Sequence, residues 1–256
     1  MTDFVEVTEL SGEEVSSEQV HRACVRYGWA LQYCAGKDVL EVACGSGPGL
    51  GVIAGVARSL VAGDISDAIL QRARSHYGER IDLRVMDAQQ LPFPDGSLDV
   101  IIMFEALYYI PSAERFVSEC KRVLRTGGRL LISNANKDLS DFNPSPHSHV
   151  YHGVVELGDL LGAHGFSAQF LGDVPIAEVS VRQKILRPVK KLAVSLGLIP
   201  KSMAGKRLLK RLVFGNLTQF PAEISLDMLP GKLELTELER TRPDTRHKVI
   251  LCVATA

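Results

Sequence analysis

Two glycines and two aspartates have the residue types and the spacing that are typical of a ligand-binding site. Gly45 and Gly47 lie in a turn of small residues that follows the mainly apolar stretch 39–42. Glycines in such a turn let the backbone approach a ligand, and the N-terminus of the helix that follows favours a carboxylate or phosphate. Asp64 and Asp87 each follow a further short apolar stretch. At the tip of a neighbouring strand, Asp64 can accept both hydroxyls of a ribose that lies across the sheet edge.

The elements that position these residues alternate between strand and helix. Ser16 or Ser17 is predicted to cap the first helix, and Ser66 the helix after the second strand. This alternation predicts an α/β fold with a mostly parallel sheet. Strands are predicted at 38–42, 59–64, 81–86, 98–104, 129–134, 166–171 and 247–253, and helices at 13–33, 66–77, 113–124 and 154–164.

A dinucleotide-binding turn is the rival interpretation of the glycines. That turn needs glycines at its first, third and sixth positions, and counting from Gly45 the sixth position is Leu50. A register that begins at Gly49 places Ala54 in the last position, inside the helix. The spacing therefore disfavours a nicotinamide-dependent oxidoreductase.

The stretch 39–47 resembles the first motif of class I S-adenosylmethionine-dependent methyltransferases, with Ala43 in place of a common glycine. The stretch 63–73 is similar to the second motif, and 91–99 resembles a further one. Membership of this family implies a Rossmann-like, seven-stranded, mostly parallel sheet with helices on both faces. It also implies an antiparallel last strand between the fifth and sixth.

The same resemblance implies a binding site for S-adenosylmethionine. It assigns Asp87 to the adenine amino group and the backbone amide of Ala88 to a ring nitrogen. Glu41 is expected near the amino end of the methionine part, with Gly45 and Gly47 along the path of its chain. The predicted cofactor-binding residues are Glu41, Ala43, Gly45, Gly47, Asp64, Ile65, Asp87, Ala88 and Phe104.

The end of the fourth strand departs from the family pattern. Many relatives carry histidine where Tyr108 and Tyr109 stand here, so a histidine base is not available at that place. A hydroxyl acceptor needs its proton removed as the new bond forms. The predicted catalytic residues are Glu105, Tyr109 and His149, in no order that the sequence defends.

Three histidines lie within six residues, at His147, His149 and His152. No Asp, Glu or Cys accompanies them with the spacing of a metal site. We therefore predict no metal centre, and interpret the cluster either as a substrate contact or as part of a plain loop.

The composition is that of an ordinary folded protein, 46% apolar and 23% charged. Five scattered cysteines without a CxxC pair predict reduced thiols rather than disulfides or zinc. The first residues lack the pattern of a signal peptide, and the longest apolar runs, such as 100–104, are too short to span a bilayer. We expect a cytoplasmic location, with peripheral contact to the inner face of the membrane as an open alternative.

The segment 182–211 contains ten Lys or Arg residues and no Asp or Glu. Since the whole chain carries −1, the remainder carries −11, and this asymmetry predicts an anionic partner. The segment is either a lid over an anionic substrate, an amphipathic surface that meets anionic lipid and a lipid-linked acceptor, or a solvated helical face. Nucleic acid is disfavoured because aromatic residues do not alternate with the cations. The oligomeric state is not indicated.

The chain is predicted to divide into three parts. They are an N-terminal helical cap at 1–36, an S-adenosylmethionine-binding domain at 37–174 and 246–256, and a basic helical insertion at 175–245.

The first helix either brings Arg26, Tyr27 and Trp29 towards the ligand crevice or only packs its aromatic rings on the sheet.

The leading functional hypothesis is a methyltransferase that acts on a small molecule, with O-methylation of a sugar or glycan precursor favoured. The stretch 26–30 resembles methyltransferases of bacterial surface-polysaccharide biosynthesis. N-methylation of an amine, C-methylation of a quinone-type ring, and a non-catalytic cofactor-binding subunit stay open as alternatives.

Overall fold

The computed structural model describes residues 10–145, 147–176 and 217–256. Its centre is one sheet of eight strands in the order β4-β3-β2-β5-β6-β10-β7-β9. The strands of this sheet are β2 (Asp38–Val42), β3 (Ser59–Asp64), β4 (Asp82–Val85), β5 (Leu98–Phe104), β6 (Leu124–Ala135), β7 (Ser167–Pro175), β9 (Thr236–Leu238) and β10 (His247–Thr255).

The first five strands in this order are mutually parallel, and β10 runs antiparallel to both of its neighbours, β6 and β7. The predicted Rossmann-like α/β fold with an antiparallel last strand is therefore confirmed. The prediction of seven strands was wrong by one. The additional strand is β9, a three-residue edge strand that pairs antiparallel with β7.

In the described residues, five helices pack on the two faces of the sheet, because apolar side chains alternate between these faces along the strands. Val100 and Ile102 of β5 pack in the cluster that contains Trp29 and Ile53, whereas Ile101 packs on the other face. Ser16 caps the first helix through a capping box with Gln19, as predicted, and Ser66 and Ser112 cap two others. The helices are α1 (Ser17–Cys34), α2 (Leu50–Ala54), α3 (Asp67–Tyr77), α4 (Ala113–Val123) and α5 (Val154–Ala163).

A second, two-stranded sheet joins distant parts of the chain. Strand β1 (Glu14–Ser16) pairs antiparallel with β8 (Leu217–Gln219). The pairing continues past the strands, since the amide of Phe220 donates to the carbonyl of Glu13 at 2.8 Å. Residues 14–16 are thereby fixed beside the segment 217–219.

The cationic segment 182–211 lies outside the described residues, and so do the helices predicted there. From 217 to 245 the chain forms β8, β9 and a 3-10 turn at Leu226–Met228. The domain boundaries remain predictions. In the part of the chain that the structure describes, no helix has both the length and the apolar character needed to cross a bilayer.

Candidate active site

A cleft of about 820 Å³ opens at the carboxyl ends of the parallel strands β2, β3, β4 and β5. Its walls come from the loops after these strands, from α1, and from the more distant residues His149 and Phe220. Ligands bind at this edge in open α/β sheets because the strand-to-helix loops converge there. Of the twelve predicted site residues, eleven line this single cleft; they are Glu41, Ala43, Gly45, Asp64, Ile65, Asp87, Ala88, Phe104, Glu105, Tyr109 and His149.

The loop after β2 bends through backbone conformations that favour glycine. Gly45 and Gly47 have φ angles of 60° and 70°, and Ala43, with φ 52°, adopts the same left-handed region with a small side chain. Gly47 is the one predicted residue that does not line the cleft. Its carbonyl accepts a hydrogen bond from the Tyr77 hydroxyl at 2.7 Å, and a Cβ at this position would overlap the side chain of Leu50. Gly47 therefore shapes the turn.

Asp64 ties the tip of β3 to the glycine loop. Its Oδ2 accepts from the amide of Gly45 at 3.0 Å, and its Oδ1 accepts from the amide of Ser66 at 2.9 Å. The carboxyl group is buried, and burial raises its pKa although the backbone hydrogen bonds oppose the rise. Ile65 beside it exposes an apolar surface to the cleft. The carboxylate is thus fixed at the place predicted for a ribose.

Asp87 and Ala88 follow β4 at the far end of the cleft. Asp87 is exposed, and its Oδ1 accepts from the amide of Gln89 at 2.8 Å. Ala88 is buried against the main core. This end of the cleft therefore combines a carboxylate that is held by its own turn with a small apolar residue.

Glu41 lies in the interior of the cleft on β2 and is 2% exposed. Its Oε1 accepts a hydrogen bond of 2.6 Å from the hydroxyl of Tyr27. Burial raises the pKa of Glu41 to about 7, against the opposing effects of the Tyr27 hydrogen bond and the charge of Arg26. The ring of Tyr27 stands edge-on to Phe104, with centroids 5.3 Å apart.

The first helix therefore both lines the cleft and packs an aromatic ring on the sheet, the two alternatives that the sequence left open. Tyr27 and Arg26 line the cleft, whereas Trp29 packs between helix and sheet and is 1% exposed. Arg22 and Gln19 also line the cleft, and sequence reasoning missed them. The spacing of Arg22 and Arg26, four residues apart on one helix face, was the available signal.

Glu105 stands at the tip of β5 in a left-handed conformation, with φ 52°. Such a backbone is unfavourable for a residue with a side chain, and it persists only where the surroundings fix it. Here Oε1 accepts from the Ser133 hydroxyl at 2.8 Å and Oε2 from the Tyr108 hydroxyl at 3.3 Å. The guanidinium of Arg22 lies 3.9 Å from the same carboxylate. Glu105 is thus oriented towards the cleft by neighbours on three elements.

Aromatic rings form the wall beside Glu105. Tyr108 stacks on Tyr151 with ring centroids 4.3 Å apart and planes at 17°. The amide of His149 donates to the carbonyl of Tyr108 at 2.7 Å, and the hydroxyls of Tyr109 and Ser145 share a hydrogen bond of 2.6 Å. These contacts bring the loop after β6 to the cleft. Across the described ranges, no group of three or more His, Cys, Asp or Glu side chains is placed to hold a metal ion.

Comparison with known proteins identifies the class of protein that this fold and cleft define. Residues 40–132 match the family model described as a methyltransferase domain. A ubiquinone/menaquinone biosynthesis C-methyltransferase of Stenotrophomonas maltophilia is 30% identical over 170 residues, which cover 62% of this chain and 67% of the relative. The chain belongs to the class I S-adenosylmethionine-dependent methyltransferases. Relatives that this chain matches are named as S-adenosylmethionine-dependent methyltransferases.

A further relative and a solved structure are also similar to this chain. A probable S-adenosylmethionine-dependent methyltransferase of Mycolicibacterium smegmatis is 38% identical over 142 residues, which are 53% of this chain and 54% of the relative. The chain thus spans about half the length of the first curated relatives it matches. The crystal structure of the YcgJ protein from Bacillus subtilis superposes with a TM-score of 0.60, and the match covers 92% of this chain and 98% of YcgJ. The two sequences are 17% identical. At 17% sequence identity, this similarity shows a common fold and nothing further.

Proposed function

We propose that this methyltransferase methylates a hydroxyl oxygen of a small ring-bearing acceptor, of which a sugar or glycan precursor is the favoured class. The observation that carries the proposal is the carboxylate of Glu105, which is held at the tip of β5 by Ser133 and Tyr108. A positioned carboxylate at the edge of the cleft can accept the proton of an attacking hydroxyl.

The residues of the cleft fit the cofactor. The carboxylate of Asp64 suits the ribose hydroxyls, and Asp87 with the backbone of Ala88 suits the adenine ring. Glu41 has a buried Oε2 without a hydrogen-bond partner among the described residues, and this oxygen suits the amino end of the methionine part. Between the adenosine end and the methionine end, Ala43 and Gly45 present only backbone atoms and the methyl group of Ala43 to the cleft.

The cofactor supplies a methyl group that is already activated as a sulfonium. The chain therefore has to orient the acceptor oxygen, exclude water and receive one proton, and most of the rate acceleration comes from positioning. In this proposal Glu105 accepts the hydrogen bond of the acceptor hydroxyl and takes its proton as the new bond forms. Tyr109 and His149 border the same space and orient the remainder of the acceptor.

The preference for a sugar-like ring rests on the mixture of side chains near Glu105. Tyrosine rings provide flat apolar faces, while Arg22 and His149 provide polar groups at the edge. A ring with several hydroxyls matches both kinds of surface. An anionic or lipid-linked form of this acceptor is proposed from the ten cations of 182–211 alone, which lie outside the described residues.

C-methylation of a quinone-type ring is the second candidate. It is favoured by the name of the Stenotrophomonas maltophilia relative, a C-methyltransferase of ubiquinone and menaquinone biosynthesis. The aromatic wall formed by Tyr108 and Tyr109 accommodates such a ring as well. The two candidates differ in the atom that receives the methyl group.

The test is incubation with S-adenosylmethionine labelled in the methyl group and with separate pools of nucleotide sugars, lipid-linked saccharides and quinones. We expect methylation of a hydroxyl oxygen in a saccharide pool. The Glu105→Gln variant keeps the size of the side chain and removes the base, so kcat should fall about 10²- to 10⁴-fold. Glu79→Gln, at an exposed position beyond α3, is the matched control.

Two results contradict the proposal. Transfer only to ring carbons of the quinone pool would establish the second candidate. Full kcat of the Glu105→Gln variant on a hydroxyl acceptor would remove Glu105 as the base.

A further inference from the structure

Glu41 is a buried carboxyl group with an unusual set of neighbours. Tyr27 donates one hydrogen bond to Oε1, while Oε2 is buried and has no hydrogen-bond partner among the described residues. The residue nevertheless lines the cleft. A buried carboxylate without a paired cation is strongly unfavourable, so such a group holds its proton until a cation arrives.

Among the described residues, one cationic side chain acts on Glu41, that of Arg26 on α1. No ion pair joins Arg26 to Glu41 within the described part of the chain, and Nε of Arg26 is buried without a hydrogen-bond partner there. The other titratable groups that act electrostatically with Glu41 are neutral or anionic and cannot replace a cation. They are Tyr27 and Cys34 of α1, Cys44 of the glycine loop and Tyr77 of α3; Asp64 of β3 acts on the adjoining Cys44.

An α-amino acid group carries one ammonium and one carboxylate. We propose that Glu41, Tyr27 and Arg26 form a proton-linked site for the amino acid end of the cofactor, in which Glu41 is neutral in the empty cleft at mildly acidic pH and ionises when the ammonium binds. The proton leaves Glu41 for the solvent, the ammonium pairs with the new carboxylate, and Arg26 pairs with the carboxylate of the ligand.

Two of these three side chains lie outside the segment that matches the family model. Tyr27 and Arg26 precede residues 40–132, which match the family model. They reach the cleft because α1 packs on the sheet, where the ring of Tyr27 covers Gly49 closely enough that a Cβ there would overlap it. The site is thus completed by the N-terminal helix.

Proton release should depend on pH in a defined way. With a pKa of about 7 for Glu41, about 0.9 of the groups are protonated at pH 6.0 and about a quarter at pH 7.5. Binding should therefore release close to one proton at pH 6.0 and about a quarter of one at pH 7.5.

The experiment is isothermal titration calorimetry with S-adenosylhomocysteine in buffers of different ionisation enthalpy, because the slope of the observed enthalpy counts released protons. Methylthioadenosine, which lacks the amino acid end, is the matched control ligand and should release none. The Glu41→Gln variant should bind S-adenosylhomocysteine without release. The Arg26→Gln variant should lose about 10- to 100-fold in affinity for S-adenosylhomocysteine and keep its affinity for methylthioadenosine.

Equal proton release with both ligands would overturn the inference, as would release that persists in Glu41→Gln. The comparison of the two ligands on the unaltered protein decides the question even if a variant does not fold. Since no acceptor is present in these titrations, their outcome is independent of the proposed acceptor chemistry.

Discussion

The free energy of unfolding of the Glu41→Gln variant should respond to pH differently from that of the unaltered protein, without any ligand. The ordinary pKa of a glutamate is 4.5, and that of Glu41 in the folded protein is about 7. Between these values the folded protein holds a proton that the unfolded chain releases. Stability from this group is therefore complete below pH 4.5 and is lost as the pH rises through 7.

The magnitude follows from the difference in pKa. About 2.5 units at 1.36 kcal/mol per unit correspond to about 3 kcal/mol. Glutamine has nearly the same shape, and its Oε1 can still accept the hydrogen bond from Tyr27. At pH 4.5 the two proteins should have similar stability, and at pH 8 the variant should be more stable by about 3 kcal/mol.

Urea unfolding from pH 4.5 to 8.5 measures this difference. The fluorescence of Trp29 is a suitable probe because this residue is the only tryptophan and is 1% exposed in the folded protein. All other titrating groups are common to both proteins and cancel in the comparison. Parallel stability curves would refute the reasoning, since they would mean that Glu41 titrates alike in folded and unfolded chains.

Two further substitutions test the walls of the cleft. Asp64→Asn replaces one acceptor oxygen by a donor facing the amides of Gly45 and Ser66. The Kd for S-adenosylhomocysteine should rise about 10- to 100-fold, and an unchanged Kd in calorimetry would remove Asp64 from the ribose site. Gly49→Ala forces Tyr27 aside and should lower the free energy of unfolding by about 1–3 kcal/mol in urea titrations. Gly231→Ala, where a Cβ meets nothing within 4 Å, is its control, and equal stability of the two variants would contradict the packing argument.

The position of the cleft, and most of the residues that line it among those predicted, could be read from the sequence because they follow uniform signals. Strands β2, β3, β4 and β5 are four to seven residues long, and a small or acidic residue lies at or within two residues of each strand's end: Ala43, Asp64, Asp87 and Glu105. The ends of parallel strands meet at one edge, so Gly45, Asp64 and Asp87 converge without any knowledge of longer-range contacts. Gly47 shows the limit of this reasoning, since the same signal also marks a glycine that only shapes the turn.

Elements fixed by distant pairing could not be predicted. Strands β1, β8 and β9 have three residues each, too few for a periodic pattern. The partners β1 and β8 are separated by about 200 residues, and only the folded chain brings Glu14 opposite Gln219. Similarly, Phe220 reaches the cleft through this pairing. The start of β6 at Leu124, directly after α4, was missed because glycines at 127 and 128 indicated a stop instead.

The stacked rings of Tyr108 and Tyr151 have a consequence for how such an enzyme can diversify. They attach the loop after β6 to the cleft beside Glu105, whereas the glycine loop and the ends of β3 and β4 carry most of the predicted cofactor-binding residues. In the proposed function, exchanges within this loop would change the acceptor while the residues proposed for the methyl donor stay in place. Acceptor specificity and donor affinity would then be separately adjustable.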